Sequence, residues 1–281
     1  MLLEKVCEKA VSENPLGRTT EYIDQYSPDL LYSIPRQPGR DSLGLKAELP
    51  FSGVDIWHAY ELSWLNNRGK PLVAVGEFRF PASSPNIIES KSLKLYLNSL
   101  NGMKYASQEF VESIVKRDLE HCCGSEVEVR FSSVAEFAMP AAGLLPGVCI
   151  DELDVKCSAY EVEPTLLNSA TETGKEIEDV LHSHLLRSKC PITGQPDWAS
   201  VLISYRGQRI RPEVLLKYLI AYRNHDEFHE HCVERIFVDI NNYCRPAALT
   251  VYARYARRGG LDISPFRSNF EMPSEKLMVW R

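Results

Sequence analysis

A cysteine and an aspartate, Cys190 and Asp197, flank a Pro/Gly-rich reversal in the run Lys189-Cys-Pro-Ile-Thr-Gly-Gln-Pro-Asp-Trp198. Gly194 and the two prolines punctuate a tight turn, so the two reactive groups are expected at facing ends of a loop with a strand on each side. A thiol becomes a nucleophile as its thiolate, which needs a neighbouring charge, base or helix end. Asp197 could take the Cys190 proton and later return protons as a general acid. Arg187 and Lys189 add positive potential there unless strand alternation turns them to solvent. On the turn alone the opposite reading is stronger: a small buried apolar cysteine and an aspartate bonded to its own backbone.

Other chemistry-bearing residues are spread along the chain. Glu89 and Glu230 fall where helices are expected to begin, which stabilises a carboxylate, and ordinary first-turn acids would sit there too. Two such carboxylates with His229 would suit a flat heterocycle rich in N–H donors, because a carboxylate accepts two parallel hydrogen bonds from such an edge. Arg254, Arg257 and Arg258 run into Gly259-Gly260, either a phosphate-holding loop or a solvated strand end. His182 and His184 share one face of a strand, Cys122-Cys123 lies elsewhere, and His225, His229 and His231 lie near Cys232. No CxxC pair or HExxH motif accompanies them, so no metal ligand set is assigned, and Cys232 reads as core. No GxGxxG follows a strand, so a nicotinamide cofactor would be held outside a Rossmann fold.

A 281-residue chain with 44% apolar and 25% charged residues has ample material for a core. Its net charge of −6 argues against a general nucleic-acid surface. No segment reaches the roughly 18 apolar residues of a membrane span. Residues 1–10 lack the apolar stretch of a signal peptide, and eight cysteines are then expected as reduced thiols in a cytoplasmic protein.

The elements that must position these groups come twice. Residues 55–80 and 176–204 each read as a β-hairpin, with turns at 66–71 and 190–196. Aligned without a gap, Gly69-Lys70-Pro71 falls on Gly194-Gln195-Pro196, which sets Leu65 opposite Cys190 and Leu72 opposite Asp197. A helix pair follows each hairpin, at 91–100 and 108–119 and again at about 212–220 and 228–237; strands at 126–131 and 248–255 come next. Hairpin, two helices and strands, given twice, imply an α+β fold of antiparallel sheets backed by helices. Residues 14–49 read as an irregular lead-in across the first unit and 138–150 as a linker, giving modules 1–148 and 149–281. The first half keeps Glu89 and lacks the Cys190, Asp197 and His229-Glu230 of the second, so a shared site is expected where modules or subunits meet.

Over nearly its whole length the chain resembles the NADPH-dependent 7-cyano-7-deazaguanine reductases of queuosine biosynthesis, in their long two-module form. The stretches that carry the resemblance are Glu89-Ser-Lys-Ser-Leu-Lys-Leu-Tyr96, Ser188-Lys-Cys-Pro-Ile-Thr-Gly-Gln-Pro-Asp197, Arg223-Asn-His-Asp-Glu-Phe-His-Glu230 and Arg257-Arg-Gly-Gly260. The resemblance implies a tunnelling fold of two tandem modules, a homodimer, and reduction of a nitrile to a primary amine with two NADPH. It implies attack by Cys190 to give a covalent thioimide, with protons from Asp197. Ile88, Glu89, Ser90, His229 and Glu230 would hold the deazaguanine; Ser90, Lys91, Arg258 and Gly259 would hold NADPH; Trp198 and Phe228 would form walls that exclude water. No essential metal and no direct nucleic-acid partner are implied. The rivals are a zinc-dependent pterin or GTP cyclohydrolase-like enzyme of the same fold and a non-catalytic purine-binding module.

Overall fold

The computed structural model describes residues 22–137 and 145–273, so residues 1–21 of the chain start and 138–144 of the expected linker lie outside the described residues. In chain order the elements are β1 (Ser33–Pro35), α1 (Gln37–Ser42), β2 (Ser52–Leu65), β3 (Pro71–Pro81), β4 (Asn86–Ile88), α2 (Ser90–Asn98), α3 (Gln108–Cys123) and β5 (Glu128–Ser132). They continue with β6 (Val148–Cys149), β7 (Thr171–Lys189), β8 (Pro196–Ile210), α4 (Pro212–Ile220), α5 (His229–Cys244), β9 (Ala248–Tyr255) and β10 (Leu261–Ser268). The α+β class expected from the pattern is what forms. No described helix is long and apolar enough to cross a membrane.

The described residues divide into two compact units that are not contiguous in sequence. Unit 1 holds 22–42, 55–137 and 257–263; unit 2 holds 43–54, 145–256 and 264–273.

In unit 1, β3 lies between β5 and β2, and β1 pairs antiparallel with β4. The lead-in is thus partly ordered as β1 and α1. The apolar side of the sheet and the inner faces of α2 and α3 bury Trp57, Trp64, Phe78, Leu93, Tyr96 and Val115 in one cluster. Ser107 caps α3 by accepting from the Phe110 N–H at 3.3 Å, and Gly124 ends it at φ +74°.

In unit 2 the order is β9, β8, β7, β6, with residues 266–268 of β10 along β9. The β7–β8 hairpin is antiparallel and long, whereas β6 pairs with β7 in parallel, Val148 beside Leu181 and Cys149 beside His182. The end of the expected linker is therefore a short strand. The last strand, β10, went unread in the sequence because Pro265 interrupts its apolar run.

The internal repeat extends to buried polar detail. Tyr96 on α2 donates to Asp118 on α3 at 2.7 Å, and Tyr218 on α4 donates to Asp239 on α5 at 2.6 Å. Each pair ties the two helices of its unit together through a buried, satisfied hydrogen bond.

The turn register corrects the gap-free alignment. Leu65 makes an isolated parallel bridge to Lys104, and Lys189 makes the same bridge to Asp226. Next along the chain, Asn66 N–H donates to Lys70 O at 2.9 Å, while Cys190 N–H donates to Gln195 O at 2.8 Å. Leu65 therefore corresponds to Lys189, and Asn66, not Leu65, corresponds to Cys190. The second turn contains one more residue, which a match anchored on Gly-x-Pro alone cannot show. Leu72 still corresponds to Asp197.

Candidate active site

Cys190 is the first residue after β7, half-buried, with its N–H on Gln195 O and its carbonyl accepting from Gly194 N–H at 2.8 Å. Gly194 sits at φ +64°, the left-handed conformation that closes this turn. Asp197 pairs directly with Ser188 across the ladder. Strand alternation puts Ser188 and Cys190 on one face, so Asp197 and Cys190 are diagonal neighbours on it, about 7 Å apart between backbones. Asp197 is only 3% exposed. Its carboxylate lies 3.3 Å from Nε2 of His229, and the His229 ring stacks on Tyr255 with centroids 3.7 Å apart and planes 6° from parallel. An imidazole clamped between a carboxylate and an aromatic face has one orientation, and it holds the carboxylate in one as well.

Beneath this layer the Cys232 thiol is fully buried beside Tyr255 and Ser188, and burial pushes its pKa well up. Cys232 is core, as its place on the apolar stripe implied. Glu230, next to His229, is 2% exposed within the first turn of α5.

The positive potential expected from Arg187 and Lys189 is committed elsewhere. Lys189 Nζ pairs with Asp226 at 3.0 Å, and Arg187 donates to the Arg223 carbonyl at 2.6 Å. What positions Cys190 instead is a peptide segment that sequence reasoning left without a role. Lys189 N–H donates to His225 O at 2.8 Å, and Glu227 N–H donates to Lys189 O at 3.2 Å, so residues 225–227 bracket the residue before the thiol. Glu227 anchors that segment by accepting from His225 Nε2 at 2.8 Å and Arg235 at 2.7 Å. Burial raises the Glu227 pKa, but the bonds from His225 and Arg235 outweigh it and hold the value at about 2. The available signal was Glu227 and Arg235 two helical turns apart. Trp198 is half-buried beneath the Arg223 guanidinium, and Phe228 immediately precedes α5.

The remaining expected site residues lie in unit 1. Ile88 is buried on β4; Glu89 caps α2, accepting from the Lys91 N–H at 2.9 Å and the Ser92 N–H at 2.7 Å. Burial raises the Glu89 pKa in spite of those two donors. Ser90 is exposed and Lys91 half-buried in the first turn of α2. Arg258 and Gly259 open a two-residue reversal in which Arg258 and Leu261 exchange backbone bonds of 2.9 and 3.1 Å. Gly259 and Gly260 have φ of +58° and +81°, as a type I′ turn requires, and a Cβ on Gly260 would come within 2.5 Å of the Glu61 carboxyl carbon. Lys94, one turn along α2, approaches Gly259, so the start of α2 and the basic turn are neighbours within the unit.

His58 supports the same turn. Its ring nitrogens meet Asp262 at 2.9 Å and Glu77 at 3.3 Å; Asp262 also accepts from the Tyr60 hydroxyl at 2.5 Å, and Arg257 lies 4.7 Å over the Tyr60 ring. Burial lowers the His58 pKa, but the two carboxylates outweigh it and raise the value above 6.5.

Of the histidines and cysteines weighed as metal ligands, His225 and His229 are bonded to Glu227 and Asp197, and Cys122 and Cys123 end α3 in unit 1. The seven described cysteines are all free thiols.

Residues 22–131 match the family model described as "Nitrile reductase, 7-cyano-7-deazaguanine-reductase N-term", and residues 196–274 match that described as "QueF-like protein". Cys190 lies between the two matches. A Ralstonia nicotianae protein named NADPH-dependent 7-cyano-7-deazaguanine reductase is 55% identical over 262 residues, 92% of this chain and 94% of the relative. Proteins of the same name from Dechloromonas aromatica and Hydrogenovibrio crunogenus are 54% and 51% identical, covering 91% and 95% of this chain and 90% and 95% of theirs. A solved structure of an archaeosine synthase, described as QueF-Like in the apo form, aligns at 16% identity over 36% of this chain and 100% of its own, with a TM-score of 0.31.

Proposed function

Because this chain belongs to the family of NADPH-dependent 7-cyano-7-deazaguanine reductases, we propose that its nitrile reduction runs through a covalent bond to Cys190. The activity is an oxidoreductase step of queuosine biosynthesis, and it sets aside the zinc-dependent cyclohydrolase and the silent binding module. Balanced over the reaction, one nitrile, two NADPH and two protons give one primary amine and two NADP⁺.

The observation that carries the covalent route is the shared face of the β7–β8 ladder: a half-buried thiol and, diagonal to it, a buried carboxylate held by His229. A nitrile carbon is a weak electrophile, and a soft, positioned thiolate is suited to attack it. As the Cys190 sulfur bonds to that carbon, Asp197 takes the thiol proton and passes it to the nitrile nitrogen, giving a neutral thioimide. NADPH supplies hydride to the C=N carbon when bound. After the nitrogen is protonated, expulsion of the Cys190 thiolate, which regains its proton from that nitrogen, leaves an imine for the second reduction; the two protons consumed overall come from solvent through Asp197. Trp198 and Phe228 exclude the water that would otherwise hydrolyse the thioimide.

Glu89, Ile88 and Ser90, with His229 and Glu230, recognise the deazaguanine edge. Burial raises the Glu89 pKa against the Lys91 and Ser92 donors, and the ring N–H groups would add further donors to the carboxylate. Ser90, Lys91, Arg258 and Gly259 fit NADPH phosphates, being exposed or half-buried donors at a helix start and a basic turn that Lys94 adjoins. We assign the two modules, 1–148 and 149–281, to the tunnelling fold on their repeated hairpin and helix pair, and the assembly to a homodimer.

The test is intact-protein mass spectrometry after incubation with 7-cyano-7-deazaguanine in the absence of NADPH. An adduct of the substrate's mass on Cys190, lost in Cys190→Ala, is expected; bound substrate without any adduct would refute the route. Calorimetric titration of Cys190→Ala should show binding retained, and that of Glu89→Ala should show it at least tenfold weaker. Normal binding by Glu89→Ala would remove that residue from the site.

A further inference from the structure

Cys149, His182 and His184 stand apart from every residue used above. The Cys149 sulfur and one ring nitrogen of each histidine lie within 4.8 Å of one another, the one such His/Cys/Asp/Glu group among the described residues. The fold makes this convergence. Cys149 and His182 are register partners across the parallel β6–β7 pair, and His184, two residues on where β7 bulges between Ser183 and Leu186, sets its ring beside that of His182. The two imidazoles are edge-to-face with centroids 5.4 Å apart.

Their outer contacts are those of metal-binding imidazoles. His182 Nδ1 lies 3.0 Å from the Pro146 carbonyl. A carbonyl only accepts, so Nδ1 carries the hydrogen and Nε2 of the neutral ring keeps its lone pair. His184 Nδ1 lies 2.7 Å from the Ser200 hydroxyl, which accepts equally well. Metal-bound histidines characteristically anchor the second ring nitrogen in this way. Asp151 fixes the strand between them, accepting from Ser183 Oγ at 2.6 Å and His184 N–H at 2.9 Å.

We propose that Cys149, His182 and His184 bind a zinc-class divalent cation that clips β6 to β7, with an open fourth position. One thiolate and two neutral imidazoles suit Zn²⁺, whose bonds of about 2.0–2.3 Å bring tetrahedral ligands to roughly 3.5 Å from one another. Side-chain rotation supplies that contraction, and the exposed Cys149 gives the ion entry. Six residues of strand separate His184 from Cys190, about 20 Å, so this ion takes no part at the catalytic thiol. Binding replaces the Cys149 proton, which leaves to solvent.

The experiment titrates the apo, reduced full-length protein with Zn²⁺ against a chromophoric chelator, and with Co²⁺ to read the thiolate-to-metal absorption. Wild type and Cys190→Ala should each take up one equivalent and show the thiolate band. Cys149→Ser and His184→Ala should bind at least tenfold more weakly, without the band in Cys149→Ser, and circular dichroism confirms their folding. Zn²⁺ should raise the Tm of wild type and leave that of Cys149→Ser unmoved. Absence of binding, unchanged binding in Cys149→Ser, or binding lost in Cys190→Ala would each overturn the site.

Discussion

The turn at 65–72 in unit 1 and the turn at 189–197 in unit 2 share a parallel bridge before the turn, a bond that closes it and a Gly-x-Pro exit. They differ in one added residue and in what flanks it. Asn66 spends its side chain on the turn itself, accepting from the Arg68 and Lys70 N–H groups at 2.9 and 3.0 Å. Cys190 makes the equivalent backbone bond and carries there the thiol proposed as the nucleophile. The helix that follows repeats the contrast: α3 begins Gln108-Glu109, whereas α5 begins His229-Glu230, with the histidine on Asp197 and the glutamate buried. On the proposed mechanism, a reactive turn needs its scaffold and a neighbouring helix start that supplies an orienting imidazole.

The largest effect that would sharpen this contrast is on Asp197. Asp197→Asn should lower kcat by about 10²–10⁴-fold with the fold intact, and steady-state NADPH oxidation measures it. An Asn variant within threefold of wild type would break the assignment of the proton carrier.

Next comes the anchor behind the thiol. Glu227 is held at about 2 against an ordinary 4.5, so its contribution is present above pH 4.5 and is lost as pH falls from there toward 2. That difference corresponds to roughly 3 kcal/mol at neutral pH. Glu227→Gln should lose stability of that order in urea unfolding and with it the acid sensitivity. Unit 1 has the mirror case: His58, raised above 6.5, contributes fully below that value and loses its contribution as pH rises through its folded pKa. Hydrogen exchange should accordingly show the 257–263 turn loosening at alkaline pH, and less so in His58→Gln.

A smaller, matched effect tests what the units share. Tyr96→Phe and Tyr218→Phe should each cost about 1–2 kcal/mol, the worth of one buried hydrogen bond to a carboxylate, with Asp118 Oδ2 keeping the Tyr26 hydroxyl at 2.7 Å as a second donor. Sharply unequal losses would mean that the repeated bond does different work in each unit. The smallest effect is that of Asn66→Cys, which should cost about 1 kcal/mol and give a thiol that forms no substrate adduct in a Cys190→Ala background. An adduct there would show that a cysteine at this turn suffices.

The elements were largely legible because their signals are local: alternation in β2, β3, β7 and β8, and apolar periodicity in α2 to α5. The added residue in the second turn was not, because Gly-x-Pro fixes only its exit and the bridge from Lys189 to Asp226 is a long-range contact. Cys190, Asp197 and His229 were legible as types, whereas the stacking of His229 on Tyr255 depends on a strand that arrives late in the chain. The part of Cys149 was hidden for the same reason: nothing in 138–150 announces a parallel partner for β7.

Unit 1 is completed by residues 257–263, which bring Asp262 to His58 and the basic turn to α2. A ribosome delivers those residues only after nearly all of unit 2 has been made. The usual order, in which the N-terminal domain is finished well ahead of the next, is therefore compressed here: unit 1 receives its last residues just before unit 2 receives 264–273. During synthesis the tryptophan-rich core of unit 1 must wait with an edge unfilled, and a chain broken off after Ala256 would leave each unit without its closing residues.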